Sequence, residues 1–404
     1  MSRYADIVLP LAQPAYTFAV GEGVEVRVGD AVAVQFGKSA VYTGIVWRLH
    51  DTPPARGTAK PILRVLYDKP LLSELQMQFW AWIAEYYICS VGEVMRVALP
   101  SAIKAKAKCE EEFLPYTPKR ETTVRLVADA FTEEVRAKMA RRAPKRYEAL
   151  CAIEEAGGVV PRHVVALDAA ALKSLAKSGL VEIGERDYTL DCEWSKTLLP
   201  KLSPAQTKAL NEIREGLTDR RVALLHGVTS SGKTEIYTHL IEERLSHGED
   251  VLFLVPEISL TTQLVERMRS LFGESVTVYH SKLTPQQRTK LYTDMLSSES
   301  GNFVVGARSA LFLPYKKLGL VVVDEEHDSS YKQTEPNPRY NGRDAAIVLA
   351  SLHDAKCVLG SATPSLESYA NTLSGKYAYT QLTERYGGVE MPDIVISDTV
   401  RNVK

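Results

Sequence analysis

The sequence predicts an α/β multidomain chain: a β-rich N-terminal barrel over residues 1–105, a winged-helix-like domain over 106–200, and one P-loop lobe on a parallel sheet over 201–404. Three observations carry that reading. Val24, Val26 and Val28, then Val32, Val34 and Phe36, alternate with polar or small residues on either side of Gly29-Asp30, the pattern of a hairpin. Between Ser101 and Pro200 the composition shifts to charged, helical stretches. From Lys201 onward, short β-branched runs (VALLHG, VLFLV, VTVYH, NFVVG, LVVVD, CVLGS) alternate with amphipathic helical stretches, the signature of βαβ units.

Bulk composition narrows the function classes. A chain of 404 residues is too long for one ordinary domain, and 45% apolar with 25% charged residues is an ordinary soluble balance. Lys and Arg number 49 against 50 Asp and Glu, so any anion binding must come from local patches. No apolar run approaches the ~18 residues that span a bilayer, and Pro10 and Pro14 interrupt the N-terminal stretch. Five scattered cysteines without a Cys-x-x-Cys pair argue against a zinc site or a disulfide framework and predict a cytoplasmic protein without a membrane partner.

In chain order, residues 42–47 and 62–67 predict two further strands, split by the loop DTPPARGTAK. A helix is expected over 71–87, with Leu75, Phe79, Trp82, Ile83 and Tyr86 on one face. KAKAKCEEE is a charged, solvated linker. Residues 131–155 predict a helix carrying Arg141, Arg142, Lys145 and Arg146. ALDAAALKSLAKSGLVEIGERDYTL predicts a helix closed by Gly179, a strand, a turn at Gly184 and another strand. That outline suits a winged helix, and it suits a structural spacer equally.

The chemistry concentrates at strand ends of the third segment, where open parallel sheets bind ligands. GVTSSGKT, residues 227–234, stands between a strand and a helix and fits a phosphate-cradling P-loop. Gly227 and Gly232 let backbone N–H groups aim at phosphates, Lys233 reaches the β- and γ-phosphates of ATP, and Thr234 ligates Mg²⁺. LVVVDEEH, residues 320–327, runs a two-sided apolar strand into three carboxylates and a histidine. Asp324 is expected to hold Mg²⁺ through water, and Glu325 to orient and deprotonate the attacking water. Gln206, upstream of the P-loop, has an amide able to read adenine. GSATPS, residues 360–365, offers hydroxyls to His327 or is an ordinary turn.

Strand binding is predicted nearby. VPEISLT (255–261) and GARSALFLP (306–314), with Arg308, suit a sugar-phosphate backbone. DSSYKQTEPNPRYNGRD (328–344) interleaves Tyr331 and Tyr340 with Lys332, Arg339 and Arg343. Single strands use such a mixture for stacking and charge, although a plain polar loop has the same composition.

GVTSSGKT, VPEISLT, GARSALF, DEEHDSSYKQ and GSATPS, in this order, resemble the superfamily 2 helicase core of the PriA family of bacterial primosomal replication-restart helicases. The resemblance implies a RecA-like lobe, ATP-dependent 3′-to-5′ unwinding at stalled forks, and primosome assembly for replication restart. It puts His327 in the catalytic set with Lys233, Asp324 and Glu325. Implied partners are branched and single-stranded DNA with a free 3′ end, single-strand-binding protein and other primosome proteins. The family's 3′-end pocket is matched by Tyr16-Thr17-Phe18, by Phe36-Gly37-Lys38 and by Lys60. Phe18 would stack on the terminal base and Lys60 would contact backbone.

Departures from the family are Ala19 for a usual Asp, Ser230 for a usual P-loop Gly, and Pro-Asn-Pro for a usual Trp before Arg339-Tyr340. The family continues into a second lobe, a zinc-binding insertion and a C-terminal domain, so the resemblance implies an N-terminal fragment with zinc only in the missing part. Such a fragment is expected to bind DNA and nucleotide with little turnover, because phosphoryl transfer leans on an arginine finger from elsewhere. The alternatives are a DNA-structure-binding module without motor activity and a different superfamily 2 translocase.

Overall fold

The computed structural model describes residues 3–385 apart from 55–56, 118–120, 128–129, 156–157, 163–164, 166, 187–198, 274–275 and 299–300. These residues form two compact units, one comprising 1–116 with 190–404 and the other 117–189.

The larger unit begins with a six-stranded antiparallel half-barrel. Tyr16–Ala19 and Ile62–Val65 lie at the two ends of the pairing order, with Tyr4–Val8, Ala40–His50 and Ala31–Phe36 between them, and the short sixth strand Lys106–Ala107 pairs with Ala40–His50. A single bridge, Ala19 to Pro61, brings the two edge strands together. Alternating inward residues Ile7, Phe18, Val32, Val34, Val46 and Ile62 fill its interior. The hairpin differs from the expected one. Ala31–Phe36 pairs with Ala40–His50 around a turn at Gly37, while residues 24–28 form no strand. Buried Asp30 accepts the Arg27 N–H at 2.7 Å, and Val28 faces solvent, so the valine alternation there follows a rim and not a ladder.

Two helices follow, Glu74–Tyr86 and Val91–Ala98, each opened by a reciprocal capping box, Ser73 with Gln76 and Ser90 with Glu93. The buried face of the first is centred on Phe79, Trp80 and Ile83, rotated from the expected set so that Tyr86 is exposed. That face packs on the parallel-sheet lobe. The Phe79 ring lies 5.8 Å from Phe312, which lies 5.5 Å from Tyr340, and all belong to one core with Leu252, Val321 and Val323. Tyr292 ties the same seam, its hydroxyl 3.4 Å from both Gln76 Nε2 and the Leu71 carbonyl.

The lobe itself is a seven-stranded parallel sheet, in the order Thr277–Tyr279, Phe303–Gly306, Asp250–Leu254, Leu318–Val323, Lys356–Ser361, Val222–Gly227 and Ala378–Leu382. Leu318–Val323 is buried at every position, as an unbroken apolar run requires when both faces are covered. All carboxyl ends therefore meet one edge. Among the described residues no helix is long and apolar enough to cross a membrane.

In the smaller unit, Glu121–Leu126 is the central strand of three, flanked antiparallel by Val159–Pro161 and Val181–Arg186. Helices Glu133–Arg142, Pro144–Glu155 and Ala169–Lys177 complete it, around Val124, Leu150, Leu172 and Val181. Pro144 splits the single helix expected over 131–155, because its ring and missing N–H end the preceding turn. The turn expected at Gly184 is also corrected: the strand runs through it, opposite Thr123. The predicted partner strand after it falls mostly on 187–198, outside the described residues.

Trp80 joins the half-barrel's helices to the lobe with no exposed area and an indole N–H that has no partner. Trp80→Ala should cost about 3–5 kcal/mol in urea unfolding followed by circular dichroism. Trp80→Phe, which removes the unpaired donor, should cost much less. A loss under about 1 kcal/mol for alanine would show that this seam does not hold the unit together.

Candidate nucleotide site and strand-binding surfaces

Strand Val222–Gly227 delivers the chain to a loop that turns at Gly232 into helix Lys233–Ser246. Gly232 has a φ of 82°, open to glycine, and a Cβ there would lie 2.1 Å from Gln206 Nε2. The loop opens on a cavity of about 390 Å³ lined by Ser230, Lys233, Thr234, Asp324, Glu325 and Arg267, among others. The structure thus brings the predicted P-loop and acidic residues to one site.

Lys233 Nζ donates to the Gly227 carbonyl at 3.0 Å and lies 3.6 Å from Glu325 Oε1. Asp324 Oδ1 accepts the Tyr237 hydroxyl at 3.0 Å. Burial first, then the Glu325 charge, raises Asp324 to about 6 against the pull of Lys233. Burial and Asp324 likewise push the Tyr237 hydroxyl upward. Glu325 has a φ of 45°, a region that costs a non-glycine residue energy and that is concentrated at working sites. His327 sits with its Nδ1 2.7 Å from Ser361 Oγ and its Nε2 3.4 Å from Thr363 Oγ1, so the GSATPS hydroxyls do meet it.

Gln206 is placed differently from the adenine-reading expectation. Only 1% exposed, its Oε1 accepts the Ser203 N–H at 2.8 Å, and its Nε2 donates to the Ser231 and Gly232 carbonyls. Both ends of the amide are spent capping a helix and bracing the P-loop. The Ser203-x-x-Gln206 spacing is a capping-box pattern and carried that signal.

Glu326 escaped the sequence reading. Its carboxylate has no exposure and accepts the Ser365 N–H at 2.7 Å, the Ser365 and Ser368 hydroxyls at 3.1 and 2.8 Å, and Arg343 Nη1 at 3.1 Å. It ties the acidic motif to the first turn of helix Gly342–Leu352 and to the cap of helix Leu366–Leu373. The only hint was an acid that a solvated loop would not need so close to a buried strand. Tyr237 and the Arg267 to Glu235 ion pair were missed as well.

Several predicted strand-binding residues are corrected. Tyr331 and Tyr340 are 2% and 1% exposed. The Tyr331 hydroxyl lies 2.7 Å from the Asp324 carbonyl, and that of Tyr340 lies 3.4 Å from the Arg308 carbonyl. Buried rings with spent hydroxyls have no face for a base. Arg343 pairs inward with Glu326 and Asp344, and Arg308 Nη1 donates to the Ser330 and Lys332 carbonyls, holding the loop from below. Lys332 and Arg339 remain exposed, joined by a 2.7 Å bond from Lys332 Nζ to the Arg339 carbonyl. Lys332 also lies 5.3 Å over the Tyr87 ring.

In the half-barrel, Phe18 is 4% exposed and packs in the interior, so stacking on a terminal base would require it to leave the core. Gly37, with a φ of 72°, and Lys38 are exposed, and Lys60 Nζ donates to the Gly37 carbonyl at 2.6 Å. Tyr16 and Phe36, 4.5 Å apart, are the half-buried aromatic pair beside them.

Two family models match this chain: the PriA 3′DNA-binding domain over residues 6–100 and the DEAD/DEAH box helicase over 203–372. The replication restart protein PriA of Chlamydia pneumoniae is 34% identical, over 95% of this chain and 51% of its own length. That of Rickettsia prowazekii is 32% identical, over 99% and 49%. The chain belongs to the PriA family. PriA of Bacillus subtilis matches more closely but over less, 43% identical across 57% of this chain and 29% of that one. The chain spans about half the length of the curated PriA relatives it matches. The PriA 3′DNA-binding match takes in both the half-barrel and the two capped helices, so the seam at Trp80 joins two matched regions. Among solved structures, RecG bound to a three-way DNA junction overlaps 48% of this chain and 25% of that one, at 24% identity and a TM-score of 0.36.

A Cβ on Gly360 would fall 1.6 Å from the Tyr237 hydroxyl that donates to Asp324. Gly360→Ala should therefore destabilise by about 1–3 kcal/mol, the cost of overpacking. Adding Tyr237→Phe should recover part of that loss in thermal melts. Equal melting of Gly360→Ala and the parent would contradict the packing described.

Proposed function

We propose that this chain is the ATP-binding and DNA-end-recognising part of a superfamily 2 replication-restart helicase that unwinds DNA 3′ to 5′. The observation that carries the reading is the convergence of Lys233, Thr234, Asp324 and Glu325 on one cavity at the carboxyl edge of the sheet. The Lys233 ammonium, held between Gly227 and Glu325, is free to turn to the β- and γ-phosphates, and that releases Glu325. Glu325 then takes the proton of a water attacking the γ-phosphorus as the bond to ADP breaks. Thr234 and Asp324 are the groups for Mg²⁺. A buried carboxylate held up at about 6 beside a second carboxylate is a site short of positive charge, which fits that ion. Mg²⁺, when bound, supplies charge neutralisation of the phosphate oxygens.

At the half-barrel, Lys60, Lys38 and the Gly37 carbonyl form the polar side of the 3′-end pocket, with Tyr16 and Phe36 as its aromatic side. Of the cations predicted in loop 328–344, Lys332 and Arg339 are those left for single-stranded DNA. We read residues 117–189 as a winged-helix-like unit, supported by three helices on a small antiparallel sheet. Stalled forks, single-strand-binding protein and primosome proteins are its partners in this reading, and the cytoplasm its compartment.

Lys233→Ala should weaken a fluorescent ATP analogue at least tenfold in titrations with magnesium, while Glu325→Gln should bind it and lose whatever hydrolysis the parent shows. Parent-like binding by Lys233→Ala would overturn the nucleotide assignment.

A fork ending in a 3′ hydroxyl should bind the parent more tightly than one with a blocked end, and Lys60→Ala should erase the difference. Phe18→Ala should instead act on the core, lowering stability by about 3–5 kcal/mol. A Lys60→Ala variant that keeps the full preference would contradict the pocket.

A further inference from the structure

A second cavity, of about 510 Å³, lies at the seam between the capped helices and the lobe. One wall holds Arg96, at the end of helix Val91–Ala98, and Lys104 in the turn beyond it. The opposite wall holds Tyr279, at the carboxyl end of its strand, Ser309, just past the end of another, and Arg288 in the first turns of helix Pro285–Ser297. Three cations and no carboxylate line it.

No carboxylate in the lining neutralises these cations. Lys104 Nζ donates to the Arg96 carbonyl, and Arg288 Nη2 to the Ser281 carbonyl, both neutral acceptors. Arg288 Nε is buried without a hydrogen-bond partner. Among the described residues, none of the three has a carboxylate within ion-pair distance. Glu93, one turn before Arg96 and acted on by its charge, and Glu257, which acts on His280, are outside the lining. Burial and the Arg96 charge bring Lys104 down to about 8, and burial, Lys282 and Arg288 lower His280. Like charges that share a partly buried cavity disfavour one another, and an anion among them relieves that repulsion.

We propose that this seam cavity binds phosphodiester groups of a DNA strand, through Arg96, Lys104 and Arg288. It lies on the same carboxyl edge of the sheet as VPEISLT and GARSALF, whose backbone groups and hydroxyls suit a sugar-phosphate chain. A strand seated there touches the helices matched to the 3′DNA-binding region and the lobe at once, which makes its register depend on the seam. The inference rests on the DNA-binding reading above and adds to it a site that bridges the two matched regions.

The test is fluorescence anisotropy of a 5′-fluorescein oligo-dT across a salt series, using the whole chain. For single strands the logarithm of affinity falls with the logarithm of salt by about 0.7 per phosphate contact. Arg96→Gln/Lys104→Gln/Arg288→Gln should therefore flatten the slope by about 2. Should that variant fail to fold, Arg96→Gln/Lys104→Gln, which leaves the Arg288 contact intact, should flatten it by about 1.4. Oligo-dT should also shield Lys104 from an amine-acylating reagent read by peptide mass spectrometry.

An unchanged slope in a folded variant, with the parent binding normally, overturns the seam site alone. So does inorganic phosphate raising the parent's melting temperature, and not the variant's, while the DNA slope stays the same; that is a free-anion site. A parent that does not bind oligo-dT at all overturns the DNA-binding reading itself, and the seam site with it.

Discussion

Two carboxylates close a strand that is buried on both faces, and the lobe is arranged around keeping them there. Asp324 cannot reach solvent freely, and Glu325 beside it raises the cost of its charge. The compensation within the chain comes from two directions, Lys233 from the P-loop and the Tyr237 hydroxyl from the helix behind it, and the cavity in front gives a cation access. Each is tied down in turn. Gln206 braces the loop that carries Lys233, Gly360 leaves room for Tyr237, and Glu326 clips the motif to the starts of two helices. A like-charge knot is costly by itself and turns useful once cationic charge enters the cavity.

What the sequence disclosed, and what it hid, divides by the kind of information needed. The P-loop and LVVVDEEH were legible because their spacing forces backbone geometry, and an unbroken apolar strand has few places to lie. Side-chain direction was not legible. The loop 328–344 has the composition of a stacking surface, yet Tyr331 and Tyr340 turn inward, where each ring buries area and spends its hydroxyl on a carbonyl. Phe18, assigned to the pocket through the family resemblance, lies on the covered face of its edge strand, and a resemblance of motifs does not say which face is covered. The shifted hairpin is a matter of turn chemistry: both Gly29 and Gly37 take positive φ, and only the second is followed by a partner strand in register.

The inward tyrosines also explain how the 3′DNA-binding region and the lobe become one unit. Phe79, Phe312 and Tyr340 pack in series, tilted and then edge to face, and Asn341 and Asn337 of the loop donate to Tyr87 and Glu93 on the capped helices. Tyr331 reaches from that core to the Asp324 carbonyl. A continuous packed path therefore joins the half-barrel's helices to the acidic motif. It is an arrangement through which occupancy at one end can bias the other, provided the loop has a second position.

The central claim is that the Asp324 and Glu325 pair is held at a cost that a bound cation relieves. Thermal melting of Asp324→Asn in EDTA and in magnesium with ADP tests it directly. The account predicts that the variant melts at or above the parent in EDTA, because a buried like charge is gone, and gains little from magnesium and ADP where the parent gains much. A variant that melts well below the parent in EDTA, yet keeps the parent's full gain with magnesium and ADP, would contradict it.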